Sequence, residues 1–268
     1  MCYLLGVSTS GYYRWREHRV SQRQQENNLL VAEIRKIHQA VRESYGSPRM
    51  TVELYARGYQ CGRHRVARLM RENGIIARRT IRFRRLTKAG KKPAPAPNLL
   101  ARQFAVATAD SVWASDITYI PTAEGFLYLA VVLDLYSRRV VGWGMSSRLN
   151  PELALKALHQ ALRRRGVPTG LLHHSDQDVL YCSGPYQRLL TDNRITCSMS
   201  GKGNCYDNAC LESFFGSLKN EFTHFEKFES RDQAALELFS WIEVFYNRVR
   251  RHSTLNYLSP VDYEQKKC

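Results

Sequence analysis

The sequence lacks several features that would place it in common protein classes. No run of about 18 or more apolar residues occurs in its 268 residues, so no membrane span is expected. The first residues, MCYLLGVSTSGYY, have neither a basic start nor a long apolar core, so no signal peptide is expected. The seven cysteines are scattered and form no C-x-x-C pair, which favours reduced thiols in a cytoplasmic protein over a disulfide framework.

Aspartate is absent from the first hundred residues, and the charge is distributed unevenly. Residues 1–100 contain 21 Lys and Arg against 6 Glu, a net charge of +15, whereas residues 101–268 contain 19 Lys and Arg against 18 Asp and Glu, a net charge of +1. This asymmetry indicates a polyanion-binding module joined to a near-neutral domain. The alternative is a solvated basic surface without a partner.

A proline-rich stretch, GKKPAPAPN at residues 90–98, separates the two halves. Alternating Pro and Ala favour an extended chain and cannot continue a helix. We therefore predict a basic helical region over residues 1–89, a linker and lead-in over 90–105, and a second domain over 106–268.

The basic half shows helical periodicity. Apolar residues recur at helical spacing at four positions, Leu30, Ile34, Ile37 and Val41. A second helix is predicted from a Ser47 cap, with Pro48 at its first position, to Gly58. A third helix is predicted over residues 62–74, where it ends at a glycine.

Two short helices with a Gly-containing turn, the second rich in arginine, predict a helix-turn-helix. The candidate DNA contacts are the arginines of the second helix, Arg63, Arg65, Arg68 and Arg71. The alternative is an ordinary helical hairpin with a basic surface.

Beyond the linker the periodicity changes to that of strands. Alternating apolar positions in SVWASDITYI and FLYLAVVLDLYS, followed by RRVVGWGMSS, predict three consecutive strands. Helices and strands then alternate, with a helix over residues 151–166, the strand LLHHSD, the helix YQRLLTDN, the strand ITCSMS and a long helix over about 207–222. This order predicts an α/β domain with a mixed sheet and helices on its faces.

Three acidic residues are the candidate metal ligands of this domain. Asp116 lies inside an apolar strand, Asp176 ends the strand LLHHSD, and Glu212 lies in the long helix. Lys219 follows Glu212 by seven residues, two helical turns, and shares its face. Three hard oxygen ligands suit Mg²⁺ or Mn²⁺, and two such ions can serve phosphoryl transfer. The alternative is that these are surface or capping acids.

Two other carboxylate assignments are open from the residues alone. The stretch HHSDQD at residues 173–178 suggests zinc, but strand alternation separates His173 from His174 and Asp176, and no second ligand pair lies nearby. His174 is instead expected to support the carboxylates without binding the metal. Asp134 is a rival first ligand, although its place before YSRR is typical of a turn residue.

Four blocks in the domain carry a family resemblance. In order, they are SDITYI, HHSD, SMSGKGNCYDNACLESFFGSLKNEF and FYNRVRRHSTLNYLSPVDYE. Together they resemble a bacterial insertion-sequence transposase, of the downstream-frame (OrfB) type found in elements with two overlapping reading frames. The resemblance implies a DDE transposase related to retroviral integrases, with a ribonuclease H-like core. It assigns the catalytic, metal-binding triad to Asp116, Asp176 and Glu212, with 35 residues between the last two, and it matches Lys219 to a basic residue that meets element-end DNA.

The resemblance also implies a reaction and its partners. In the implied reaction, two Mg²⁺ or Mn²⁺ ions assist water in attacking a phosphodiester at an element end, and its cleavage frees a 3′-OH. That 3′-OH then attacks another phosphodiester in strand transfer. The implied partners are DNA, both terminal inverted repeats and target, a homo-oligomer assembled on it, and an upstream reading-frame product joined as a frameshift fusion. The implied location is the bacterial cytoplasm, with the nucleoid. A non-catalytic DNA-binding regulator, or a nuclease of the same fold without strand transfer, would be the alternatives.

One departure from the family pattern lies beside the second aspartate. Where the family reads HSD-x-G-x-Q-Y, this chain reads HSDQDVLY, with Asp178 in the Gly position and Leu180 in the Gln position. Asp tolerates turn conformations better than most residues. We therefore expect the chain to turn at Asp178, with Asp176 as the ligand and the Asp178 carboxylate pointing away.

Overall fold

The computed structural model describes residues 2–16, 20–78, 96–201 and 205–266. The chain divides into two compact units, Met1–Ala77 and Arg78–Cys268. The predicted division between residues 89 and 90 lies outside the described residues and stays a prediction. No helix in the described ranges is long and apolar enough to cross a membrane.

The first unit is helical in its described part. Its helices are α1 (Thr9–Arg16), α2 (Gln22–Ala40), α3 (Ser47–Ala56) and α4 (Arg63–Glu72). The predicted apolar face of α2 is buried at all four of its positions, Leu30, Ile34, Ile37 and Val41. Also buried are Met50 and Leu54 of α3 and Val66 and Leu69 of α4. The predicted third helix ends as expected, since Gly74 follows α4 with a φ of 64°.

The predicted start of α3 was wrong by one residue. The N-cap is Gly46, in extended conformation, and Ser47 is the first helical residue. The helical hydrogen bonds begin at the Gly46 carbonyl, which accepts from Met50 N at 3.0 Å. Pro48 is accommodated because the first turn of a helix has no intrahelical use for its missing N–H.

The second unit contains a mixed five-stranded sheet. Its strands are β1 (Val112–Thr122), β2 (Gly125–Asp134), β3 (Val140–Ser146), β4 (Leu172–Ser175) and β5 (Thr196–Met199). They are ordered β3-β2-β1-β4-β5, with antiparallel pairing from β1 to β3 and parallel pairing from β1 through β4 to β5. The sequence predicted all five strands, because each combines apolar residues with a clear boundary.

Helices follow and flank these strands. They are α5 (Pro151–Arg165), α6 (Gly184–Asp192), α7 (Ala209–Glu221), α8 (Arg231–Phe239) and α9 (Pro260–Lys266). Shorter helical turns cover Cys205–Asn208, Thr223–Phe225 and Ser253–Leu255, and a π-helical segment covers Ser240–Tyr246. The helix predicted over about 207–222 therefore begins with a 3₁₀ turn and is α-helical only from Ala209.

The sheet has a different neighbour on each face. Trp113 and Val132 pack into a buried cluster with α5 and α6. Helix α5 packs closely against β3 at Gly142. A Cβ at this position would lie 2.2 Å from the carbonyl oxygen of Ala157, so there is no room for a side chain. Strand alternation turns Asp116 to the face opposite Trp113. Helix α7 packs against β1 and supplies one charged neighbour of Asp116, Lys219.

Candidate active site

Asp116 and Asp176 are brought side by side by the register of two parallel strands. Ser115 of β1 pairs with Ser175 of β4, so the two aspartates are the next residue on each chain. Neighbouring strands lie about 4.8 Å apart. Burial, followed by the negative charge of Asp176, raises the pKa of Asp116 to about 7. The fold therefore sets Asp116 and Asp176 side by side, and their role as metal ligands stays a prediction.

Lys219 approaches the pair from α7. Burial lowers the pKa of its amino group, and the charge of Asp116 acts in the opposite direction, which places the two groups within electrostatic range. The amino nitrogen also lies 5.5 Å from the ring centroid of Tyr119. The lysine thus stands between a carboxylate and an aromatic ring of the same strand.

Glu212 lies on α7, two helical turns before Lys219 and on the same face. Its side chain is partly buried. In the described part of the chain, no three His, Cys, Asp or Glu side chains are close enough to hold one metal ion together. The structure brings Asp116 and Asp176 together and places Glu212 on the adjoining helix.

The loop after Asp176 turns where the sequence predicted it. The Asp178 amide donates to Asp176 Oδ1 at 2.9 Å, and the Leu180 amide donates to Asp178 Oδ1 at 3.0 Å. Asp178 is not among the described residues with positive φ, so side-chain acceptors make this turn without left-handed backbone. The Asp178 carboxylate bonds within the loop, yet its charge still contributes to the raised pKa of Asp116.

The two histidines of the HHSDQD stretch face opposite sides, as alternation predicted. His174 Nδ1 lies 2.9 Å from Ser198 Oγ, and its Nε2 lies 3.3 Å from Ser200 Oγ. Burial lowers the pKa of His174 to about 4, so the ring is neutral. His173 Nε2 instead lies 2.8 Å from Ser115 Oγ. His174 therefore ties β4 to β5 beside Asp176, and no zinc cluster forms among the described residues.

A group of hydrogen bonds around Asp207, which the sequence did not reveal, lies next to this histidine. Asp207 Oδ1 accepts from Arg102 Nε, and its Oδ2 accepts from Asn98 Nδ2, each at 2.9 Å. Ser198 Oγ accepts from Leu99 N at 2.9 Å. These bonds hold the lead-in from the linker against β5. The only sequence signal was an aspartate inside the block GNCYDNA, because its partners lie about a hundred residues away.

Asp134, the rival first ligand, serves the turn after β2. It is fully buried, and its carboxylate accepts from Tyr136 N at 3.2 Å and from Ser137 Oγ at 2.9 Å. Burial raises its pKa to about 6. These bonds give Asp134 the structural role that its position before YSRR indicated.

The four candidate arginines of α4 fall into two groups. Arg65 donates to Asn27 at 2.9 Å and to Glu26 at 3.1 Å, and Arg68 forms an ion pair with Glu72 at 3.1 Å. Arg63 and Arg71 are exposed, and neither has an ion-pair partner among the described residues. These last two side chains are the ones most open to a phosphate.

Comparison with known proteins gives the chain its relatives. Family models match at residues 24–83 (HTH-like domain), 107–205 (integrase core domain) and 193–260 (integrase core domain). The chain is 43% identical to the transposase InsF for insertion sequence IS3A of Escherichia coli, over 99% of this chain and 93% of that protein. It is also 43% identical to an uncharacterized 31 kDa protein of insertion element IS600 of Shigella sonnei, over 99% and 98%.

A solved structure shares the fold. It is a simian T-cell lymphotropic virus intasome in complex with the PP2A regulatory subunit B56 gamma, matched with a TM-score of 0.50 and 14% identity over 85% of this chain and 73% of that chain. The predicted α/β class, with an integrase-type mixed sheet after a helical HTH-like region, is confirmed.

Proposed function

We propose that this chain, which belongs to the family of InsF transposases, uses Asp116, Asp176 and Glu212 to hold divalent cations while it cuts and joins DNA. Its family and its integrase core make it a DNA transposase of the polynucleotidyl-transferase type. We propose that these three residues perform the chemistry and that they hold two cations.

The strand register that sets Asp116 beside Asp176 is the observation that supports this assignment most directly. Two carboxylates forced together repel each other, and the raised pKa of Asp116 reflects burial first and that repulsion second. Hard oxygen donors in a crowded anionic site fit Mg²⁺ or Mn²⁺, which would relieve the repulsion. When bound, such cations activate an attacking oxygen and stabilise a leaving one.

The protein's own groups position the DNA around these carboxylates. Lys219 is placed to contact a phosphate oxygen close to Asp116. The Asp178 amide fixes the orientation of the Asp176 carboxylate. Helix α7 presents Glu212 on the same face as Lys219, so a phosphate held by the lysine lies along the helix that bears the third ligand.

The helical unit supplies sequence-independent affinity and orientation. Arg63 and Arg71 offer cations to the phosphate backbone from one helix of an HTH-like domain. For the whole chain, we propose the element ends and target DNA as substrates. We also propose that it forms a homo-oligomer on DNA and that an upstream reading-frame product is its fusion partner. These substrates place the protein in the bacterial cytoplasm.

The test uses duplex oligonucleotides of the element ends with Mg²⁺, with the chain alone and fused to the upstream reading-frame product. Cleaved and joined products are measured for the wild type, Asp176→Asn and Glu212→Gln, with Asp192→Asn at an exposed helix end as the matched control. We expect both site variants to bind DNA and yield neither product. Cleavage by Asp176→Asn would refute the assignment. Cleavage without joined products in the wild type would favour a nuclease, and tight binding without cleavage would favour a regulator.

A further inference from the structure

Two aromatic rings are exposed at the end of the β1–β2 hairpin. Tyr119 is 46% exposed and Phe126 is 48% exposed, and their ring centroids lie 4.9 Å apart at an interplanar angle of 61°. Tyr128 extends this group on the buried side, 6.4 Å from Phe126. Large aromatic surfaces in contact with solvent are costly for a monomer and are typical of a binding surface. We call Tyr119 and Phe126 the aromatic platform.

The aromatic platform is connected to the candidate active site through Lys219. The lysine amino group lies 5.5 Å from the Tyr119 ring centroid and within electrostatic range of Asp116. Tyr119 and Asp116 point to opposite faces of a regular strand. Helix α7 can reach both because β4 pairs with β1 only as far as Ser115, which leaves that edge of β1 without a strand neighbour in the described chain.

The distance between platform and carboxylate suits a short stretch of DNA. Three residues along a strand span about 10 Å. One DNA strand rises about 3.4 Å per nucleotide. A base within a few nucleotides of a phosphate at Asp116 therefore reaches Tyr119.

The surroundings of the platform favour a nucleic acid. The backbone that follows α7 runs along the same hairpin, since Ala123 N donates to the Phe228 carbonyl at 2.9 Å. That segment carries another exposed aromatic ring, Phe225, with the Arg78 guanidinium 5.2 Å from its centroid and 3.5 Å from the Glu226 carboxylate. Exposed rings interleaved with cations suit bases and phosphates together.

We propose that the aromatic platform, Tyr119 and Phe126, stacks on an unpaired nucleobase of the DNA next to the phosphate that is cut. A base inside a duplex has both faces covered by its neighbours, whereas an unpaired base offers a free face to a ring. Lys219 then holds the phosphate between the stacked base and the carboxylates. This inference rests on the proposed function of Asp116 and Asp176, and it assigns to the two rings a positioning role in that reaction.

The test uses the full chain and an element-end oligonucleotide with 2-aminopurine beside the cleaved phosphate, either paired or mismatched. Divalent cations are omitted, so that binding is measured without cleavage. The variants are Tyr119→Leu and Phe126→Leu, which keep an apolar side chain without a ring, and Phe126→Trp, which restores one. The matched control is Phe239→Leu, a 43% exposed ring that contacts Trp143 of β3.

We expect the wild type, Phe126→Trp and Phe239→Leu to quench the 2-aminopurine fluorescence. Tyr119→Leu and Phe126→Leu should lose the quenching and bind the mismatched end roughly tenfold to a hundredfold more weakly. Unchanged quenching and affinity in both leucine variants would overturn the proposal. Cleavage by the wild type and by Asp176→Asn is scored separately, so failure of the stacking test and failure of the carboxylate assignment give different results.

Sedimentation of the same variants without DNA separates the remaining explanation. If the leucine variants lose affinity only because they no longer self-associate, the platform is a contact between copies of the chain and the proposal is wrong. Retained oligomeric state with lost quenching supports stacking.

Discussion

Arg250 holds the carboxylate of Glu221 through two hydrogen bonds of 2.6 Å, from Nε to Oε2 and from Nη2 to Oε1. Both residues are buried, with exposures of 4% for Arg250 and 8% for Glu221. Glu221 lies on α7 with Glu212 and would be the next candidate for a third metal ligand. Because a bidentate partner already occupies its carboxylate, Glu221 is assigned a structural role.

The first prediction concerns this ion pair. Arg250→Met should lower the free energy of unfolding by about 3–5 kcal/mol, because it leaves a buried carboxylate without compensation. The double variant Glu221→Leu with Arg250→Met should recover much of the loss, as measured by urea unfolding. Glu221→Gln should retain cleavage per folded molecule. Equal losses of stability in the single and double variants would contradict this account.

The second prediction concerns the pH dependence of stability without metal. Because the folded-state pKa of Asp116 is raised to about 7, its contribution is fully present below the unfolded-state pKa and is lost as the pH rises through 7. Between pH 5 and pH 8 the wild type should lose on the order of 2 kcal/mol more stability than Asp116→Asn. Thermal unfolding in EDTA at both pH values measures the difference. Asp134, whose pKa is also raised, is present in both proteins and cancels.

Added Mg²⁺ provides the control for this pH effect. It should stabilise the wild type at pH 8 and stabilise Asp116→Asn much less. Identical pH profiles for the two proteins would show that the pKa of Asp116 is not raised in the metal-free fold.

The third prediction separates charge from turn geometry at Asp178. Asp178→Asn keeps an acceptor for the Leu180 amide and removes a negative charge near Asp116, whereas Asp178→Gly removes both. Either variant should preserve or raise metal-dependent cleavage of an element end. The asparagine variant should be the more stable by about 1 kcal/mol, as expected for one turn hydrogen bond. Loss of cleavage in both variants, with cleavage retained in Asp176→Asn, would move the ligand to Asp178.

The fourth prediction distinguishes the arginines of α4. Arg63→Ala and Arg71→Ala should each weaken DNA binding and lower the slope of log affinity against log salt by about 1, because each removes one phosphate contact. Arg65→Ala should also destabilise the helical unit, since Arg65 bonds Glu26 and Asn27. Fluorescence anisotropy at several salt concentrations and thermal unfolding measure the two effects. An unchanged slope for both exposed arginines would assign DNA binding to other surfaces.

Local patterns in the sequence predicted most of the elements that form the site. The apolar alternation around Asp116 and the short strand before Asp176 were readable because each depends on neighbours two residues away. The turn at Asp178 was predicted from the family resemblance, because the family pattern has Gly at this position, and from the tolerance of Asp for turns. The register that sets the two aspartates side by side was not readable, since it depends on a parallel pairing across about sixty residues of chain.

Features with distant partners escaped prediction. The hydrogen bonds of Asp207 join it to Asn98 and Arg102, about a hundred residues earlier in the chain. The start of α3 was missed for a local reason, because Gly46 instead of Ser47 is the N-cap and its carbonyl accepts the first helical bond. Arg165 at the end of α5 belongs to a network with Asp110, at 3.3 Å, and with Glu264 of α9. The sequence could not show that Arg165 is surrounded by carboxylates, because Glu264 reaches it only through the packing of α9.

The short length of β4 has a consequence for the tendency of the protein to aggregate. Strand β1 continues to Thr122, although β4 accompanies it only to Ser115. An uncovered strand edge is a template on which another extended backbone can pair. Helix α7, which bears Glu212 and Lys219, lies against this strand. Displacing α7 from β1 would therefore expose a strand edge on which other chains could pair, so the helix that bears Glu212 and Lys219 also shields the sheet from aggregation.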